Sequence, residues 1–228
     1  MMMGIVDSGT KIVVNGLVMH VDAAQKRSYP GTGTAWTDLS SQANNATLTN
    51  GPTFNSSNGG SIVFDGTNDY AAFPDSESLK VYNSFTIDGW IYPITSNVDG
   101  PVITKVGCYY VDYFSTRFIS VYGYGWSNPG YHQANHKCEL NQWSYFSVVR
   151  DLSASTLKIW INSTLSTTVS SLTGTISCNT TAFSLGIGGY SGSGYHANVR
   201  VAIGRVYNRA LTDTEVGQNY NAERIRFL

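Results

Sequence analysis

Apolar and polar residues alternate with period two over short runs along most of the chain, and clusters of Gly, Asn, Ser, Thr and Pro separate the runs. This pattern predicts β-strands joined by turns. Residues 84–92 show it best: Phe85, Ile87, Gly89 and Ile91 fall on one face, and Thr86, Asp88, Trp90 and Tyr92 on the other. The same reading predicts a strand-rich run over 12–21, broken at Asn15-Gly16, and two short strands at 61–64 and 70–73 around a Gly-containing connection. Further strands are predicted at 102–104, 117–122, 143–150, 156–161, 183–188 and 199–207. Residues 28–60 read as one long loop. Near the C-terminus, Thr212 and Glu215 have capping-box spacing and predict one short helix. No internal repeat, heptad or linker divides the chain, so a single all-β sandwich over 12–228 is expected, with residues 1–11 as an arm.

Composition sharpens this picture. The chain has 228 residues, 42% hydrophobic, which can fill a large core, but only 13% are charged, about half the usual share. A net charge of −1 gives no basis for a nucleic-acid or anionic-membrane partner. No stretch approaches the ~18 apolar residues of a membrane span. No basic start followed by an apolar run opens the chain, so export is not expected. Cys108, Cys138 and Cys178 are odd in number and far apart, as expected of separate thiols in a reducing compartment; one bridge would be open to them after release, with the pair undetermined.

Residues 201–228 contain Tyr207-Asn208-Arg209-Ala210-Leu211 followed by the short Glu-containing helix. This resembles the closing motif of laminin-G-like, concanavalin A-like jelly-roll domains. The run Gln218-Asn219-Tyr220-Asn221-Ala222 and its basic-aromatic tail resemble the version found in tailed-bacteriophage structural proteins. Upstream, Gly16–Ala23, Trp36-Thr37-Asp38-Leu39-Ser40, Ser61–Tyr70, Phe85–Ile91 and Leu157–Asn162 resemble successive family segments in order and spacing. The resemblance implies an antiparallel β-sandwich jelly roll of the concanavalin A-like lectin/glucanase type, with one short C-terminal helix.

Candidate chemistry was weighed on this scaffold. A β-glucan hydrolase needs a general acid and a second carboxylate on one cleft, but no strand carries a Glu-x-Asp-x-Glu pattern and Asp88 stands alone. His132, His136 and Cys138 lack the further ligand of a closed zinc site and read as ordinary loop and strand residues. Asp65, Asn68 and Asp69 gather hard oxygen donors in one turn, as calcium prefers, and related domains carry calcium; the alternative is that they bond their own turn backbone. Many family members have acids on the last strand where this chain has Ala202 and Ile203. The glycine-rich stretch 186–194 reads as a turn and not as a phosphate cradle, and the four Asn-x-Ser/Thr sequons (Asn45, Asn55, Asn162, Asn179) as chance.

Between Tyr109 and Tyr131 lie nine aromatic residues with interleaved glycines. Tyr122, Tyr124 and Trp126 are the expected binding residues, for a ligand or a subunit contact. The resemblance implies a non-enzymatic virion structural protein of a tailed phage, displayed on the particle surface as a capsid decoration, fibre or knob subunit. Its expected partners are other virion proteins, further copies of itself and cell-surface glycans. A stand-alone lectin, with calcium, is the alternative.

Overall fold

The computed structural model describes residues 10–95, 99–178, 183–188 and 195–228. They form two antiparallel sheets of eight strands packed face to face, and a small two-stranded one from Ile187–Gly188 and Tyr195–His196. The first sheet runs Thr164–Val169, Thr156–Ile161, Ser144–Asp151, Phe85–Pro93, Asn198–Tyr207, Ser61–Asp65 and Thr53–Asn55. Leu17–Asp22 also pairs with Asn198–Tyr207, along its 203–207 half. The second sheet runs His132–Lys137, Phe118–Gly123, Tyr109–Tyr113, Gly100–Lys105, Phe183–Leu185, Tyr70–Phe73, Ala46–Thr49 and Ala35–Trp36. Between them lies the main core, to which Phe85, Ile87, Ile91, Phe146 and Val148 contribute from one side and Ile103, Tyr109, Val111, Val121 and Phe183 from the other. This is the expected antiparallel sandwich, with the expected C-terminal helix over Asp213–Glu223.

The alternating strand Phe85–Pro93 is buried on both faces. Its second face holds Trp90, which packs with Tyr145, Val149, Trp160, Ile203, Tyr207, Val216 and Phe227 in a separate apolar cluster beneath the helix. Trp90 stacks on Phe227 with ring centroids 4.3 Å apart. Gly89 sits where Asn198–Tyr207 bulges between Val201 and Ile203; a Cβ there would stand 2.4 Å from the Ile203 carbonyl oxygen, so only glycine admits the approach.

The helix docks through a buried polar network. Asp88, opposite Arg205 in register, accepts from Arg205 Nε at 2.6 Å, from the Tyr145 hydroxyl at 3.1 Å and from Asn219 Nδ2 at 2.8 Å. Arg205 Nη1 reaches Glu223 at 2.8 Å. Asn219 Oδ1 accepts from the Val13 N–H, and the Tyr207 hydroxyl donates to the Val13 carbonyl, which ties residue 13 to the helix. Thr212 and Glu215 form the predicted capping box, and Arg209 grips Glu215 through both terminal nitrogens, holding its carboxyl down at about 2. The Tyr207–Leu211 motif is therefore a lock that closes the fold.

Four sequence expectations need correction or completion. The supposed loop 28–60 contains three short strands, folded around Asp38, which accepts from the backbone N–H groups of His20, Ser40 and Asn44 at 2.8, 2.8 and 2.9 Å. Tyr109–Tyr113 is a strand buried along its length, so no alternation betrayed it. Cys108 and Cys178 form a disulfide, with Cα atoms 4.5 Å apart, whereas separate thiols were expected; Cys138 stays a buried free thiol, pushed up to about 12 by burial. Residues 1–9 of the expected arm lie outside the described residues, while the Lys11 carbonyl accepts from Gln218 Nε2 at 2.7 Å.

At one end the two sheets meet. Ser166 Oγ accepts from the Asn135 and His136 N–H groups, both at 2.8 Å, and Thr167 Oγ1 donates to the Gln133 carbonyl at 3.0 Å. Asn135 Nδ2 in turn donates to the Ser166 carbonyl at 3.0 Å, so side chains occupy backbone groups of both edge strands that would otherwise invite pairing with another chain.

Candidate functional site

The outer face of the second sheet carries the candidate site. Cross-strand partners place Thr47, Ala72, Ser184, Thr104, Tyr110 and Tyr122 in one lateral row across six strands. Directly opposed residues share a face, and Tyr109, Val111 and Val121 on the same strands point into the core, so this row faces away from it. Small side chains line one part of the row and tyrosines the other. A second row comprises Pro101, Asp112, Ser120 and Gln133.

Tyr124 and Tyr131, from the loop after Phe118–Gly123, complete a ring cluster. Centroids lie 4.9 Å apart for Tyr122–Tyr124, 5.5 Å for Tyr122–Tyr131, 5.9 Å for Tyr110–Tyr124 and 6.3 Å for Tyr110–Tyr122. Tyr131 is 48% exposed, Tyr122 and Tyr124 are half-buried, and Tyr110 is buried. The loop is pinned: Tyr124 N–H donates to the Cys108 carbonyl, Ser177 N–H to the Tyr124 carbonyl and Ser127 N–H to the Thr173 carbonyl, at 2.8, 2.9 and 2.9 Å. Gly125 fits because its φ is +92° and a Cβ would meet the Thr175 carbonyl at 2.4 Å. The Cys108–Cys178 bridge anchors residues 173–178, to which the loop is bonded, to the start of Tyr109–Tyr113. The rings are thus held in place before any ligand arrives.

Beside them lies Asp112, 6% exposed, with Oδ1 buried and without a hydrogen-bond partner. Burial raises its pKa to about 7; a hydrogen bond from Tyr131 opposes the shift, and the charge of Asp99 adds to it. Thr104 Oγ1 is also buried without a partner, and Gln133 Nε2 donates to Ser120 Oγ at 3.2 Å.

Of the expected binding residues, Tyr122 and Tyr124 lie in this cluster. Trp126 does not: it is 5% exposed, packs in the core with its ring against Gly123, and sits 5.7 Å from the His132 ring. A large apolar ring on the inward side of a tight loop gains more from the core than from solvent. Tyr110 and Asp112 were missed as site residues because only strand register places them beside Tyr122.

In the expected calcium turn the two carboxylates bond the turn's own backbone, while Asn68 is held through its main-chain carbonyl by a side chain outside the turn. Asp69 Oδ2 accepts from the Asp65 N–H at 3.2 Å, Asp65 Oδ1 from the Thr67 N–H at 2.7 Å, and the Asn68 carbonyl from Asn50 Nδ2 at 2.8 Å. His132 and Cys138 are buried and His136 is exposed; among the described residues no group of three or more His, Cys, Asp or Glu could hold a metal. Asp88 lies under the C-terminal helix on the first sheet, so it is no partner for Asp112. Most of the glycine-rich stretch, residues 189–194, and the Asn179 sequon lie outside the described residues.

The family profile of the concanavalin A-like lectin/glucanases superfamily matches residues 65–217. The chain belongs to this superfamily. Among solved structures, the binding domain of Paraclostridial Mosquitocidal Protein 1 superposes with a TM-score of 0.70 at 14% identity, over 91% of this chain and 52% of that one. Domain 4 of AbnA, an extracellular arabinanase of Geobacillus stearothermophilus solved with arabinotriose, gives 0.67 at 15%, over 92% of this chain and 100% of the domain. Trypanosoma rangeli sialidase in complex with 2,3-difluorosialic acid gives 0.69 at 14%, over 96% of this chain and 35% of the enzyme. The chain thus spans about half of the mosquitocidal binding domain and about a third of the sialidase. At these identities the likeness is one of fold. No curated protein sequence matches the chain.

Proposed function

We propose that residues 12–228 form one non-catalytic carbohydrate-binding domain of lectin type, and that its glycan lies on the Tyr110, Tyr122, Tyr124 and Tyr131 face. The observation that carries this reading is the contiguous, pinned tyrosine cluster on the outer sheet face. Aromatic faces pack against the apolar faces of sugar rings, while hydroxyl tips hydrogen-bond their edges. AbnA domain 4, seen with arabinotriose, supports the assignment as a fold relative. The non-catalytic reading is supported by the sequence, in which no strand carries the Glu-x-Asp-x-Glu spacing that sets an acid and a second carboxylate on one cleft.

The expected result is that Tyr122→Ala, in glycan-array and calorimetric titrations, weakens binding about tenfold or more. Unchanged binding in Tyr122→Ala and Tyr131→Ala alike would place the glycan elsewhere.

A finer reading sets this domain on the surface of a tailed-phage virion, as an oligomeric decoration, fibre or knob subunit. It is favoured by the resemblance of residues 201–228 to phage structural proteins. Many copies on one particle would multiply modest affinities for host-surface glycans. Immunogold labelling of particles from the source culture is expected to mark capsids or tails. Unlabelled particles, with the protein found elsewhere, would leave the lectin reading without the virion role.

A further inference from the structure

Resting on the glycan-binding reading above, we infer that the tyrosine face selects neutral sugars and excludes sialylated, uronic and sulfated ones. Recognition of a carboxylated or sulfated sugar calls for Arg or Lys donors that neutralise its charge. The basic residues on the neighbouring strands and turns are engaged elsewhere. Lys105 Nζ binds Asp75 at 2.8 Å, Arg117 pairs with Glu139, and Lys137 lies over the Phe118 ring, 5.5 Å from its centroid. The internal stretches outside the described residues bring no charge: 96–98 read Ser-Asn-Val, 179–182 Asn-Thr-Thr-Ala, and 189–194 Gly-Tyr-Ser-Gly-Ser-Gly.

What charge the face does contain is acidic. Asp112 sits buried beside the rings, with Oδ1 unpartnered and Asp99 as its charged neighbour. An anionic sugar settling on Tyr131 would lose water beside a carboxyl that no cation among the described residues offsets. The polar residues that reach the surface of this face are Tyr122, Tyr124, Tyr131 and Gln133, which carry hydroxyls and an amide. Such groups both donate and accept, as the hydroxyls of a neutral sugar do.

The test is an array, read at pH 8 and moderate salt, in which neutral glycans are printed beside acidic counterparts: galactan with polygalacturonate, lactose with 3′-sialyllactose, dextran with dextran sulfate. The expected result is binding within the neutral set, with each bound glycan preferred over its acidic counterpart by about tenfold or more. Asp112→Asn, which removes the charge at near-constant shape, is expected to narrow that ratio severalfold. Equal or tighter binding of the acidic partners overturns this inference while leaving carbohydrate binding intact. An unchanged ratio in Asp112→Asn overturns the assignment of the exclusion to Asp112. Binding to neither set removes the glycan reading itself, and this inference with it.

Discussion

Arg205→Met is expected to cost about 3–5 kcal/mol of stability, the range for removing one partner of a buried ion pair. Arg205 and Asp88 are both 0% exposed, and the substitution would strand two buried carboxylates, Asp88 and Glu223. Tyr145 and Asn219 would still donate to Asp88, but neither carries a charge. At this chain length the loss corresponds to a fall in melting temperature of roughly 10 °C. The informative control is Lys158→Met, which breaks a pair with Asp213 whose side chains are 30% and 56% exposed. That change is expected to stay within about 1 kcal/mol. Denaturant melts of both variants check the prediction; comparable small losses would mean that the polar network under the helix does not hold it to the sheet.

Asp112→Asn is expected to stabilise the protein at alkaline pH and to lose that advantage on acidification. The Asp112 pKa is about 7 in the folded chain, raised above the unfolded value chiefly by burial. A carboxyl raised in this way binds its proton more tightly in the folded state, so its contribution is complete below about pH 4 and is lost as pH rises through about 7. Between pH 5 and 8 the loss amounts to about 2–3 kcal/mol, which asparagine cannot suffer. His20 complicates the raw profile, because burial and the charges of Arg205 and Arg226 push its pKa down to about 3. A histidine kept neutral by the fold costs stability as pH falls below about 6.5, the opposite trend. The difference between variant and wild type cancels His20 and isolates Asp112. Thermal melts at pH 5 and pH 8 should therefore show a gap that widens with pH; a constant gap would falsify the placement of a buried, uncompensated carboxyl at the tyrosine face.

Both predictions rest on acids that looked alike in sequence. Asp88 and Asp112 each sit in an apolar, aromatic run, and neither lies in a catalytic pattern. Register separates them: Asp88 meets Arg205 across the first sheet, whereas Asp112 meets Ser120 and Pro101 across the second. One acid became a tether for the terminal helix, the other a buried carboxyl beside the tyrosine cluster.

Local periodicity and turn chemistry determined the sandwich class, the central strand over 84–92, the closing strand and the capped helix, because alternation and capping are short-range properties of the chain. Tyr122 and Tyr124 were legible as candidates because they stand in a dense run of aromatic residues with interleaved glycines, and such rings bury large area at a contact. The inward turn of Trp126, the addition of Tyr110, Asp112 and Tyr131, and the choice of Cys178 as partner for Cys108 were decided only by tertiary structure. These outcomes depend on which face each strand presents and which strands lie side by side. Pairing between segments far apart in sequence, such as Leu17 with Tyr207 and Phe73 with Phe183, sets both, and no local window contains it.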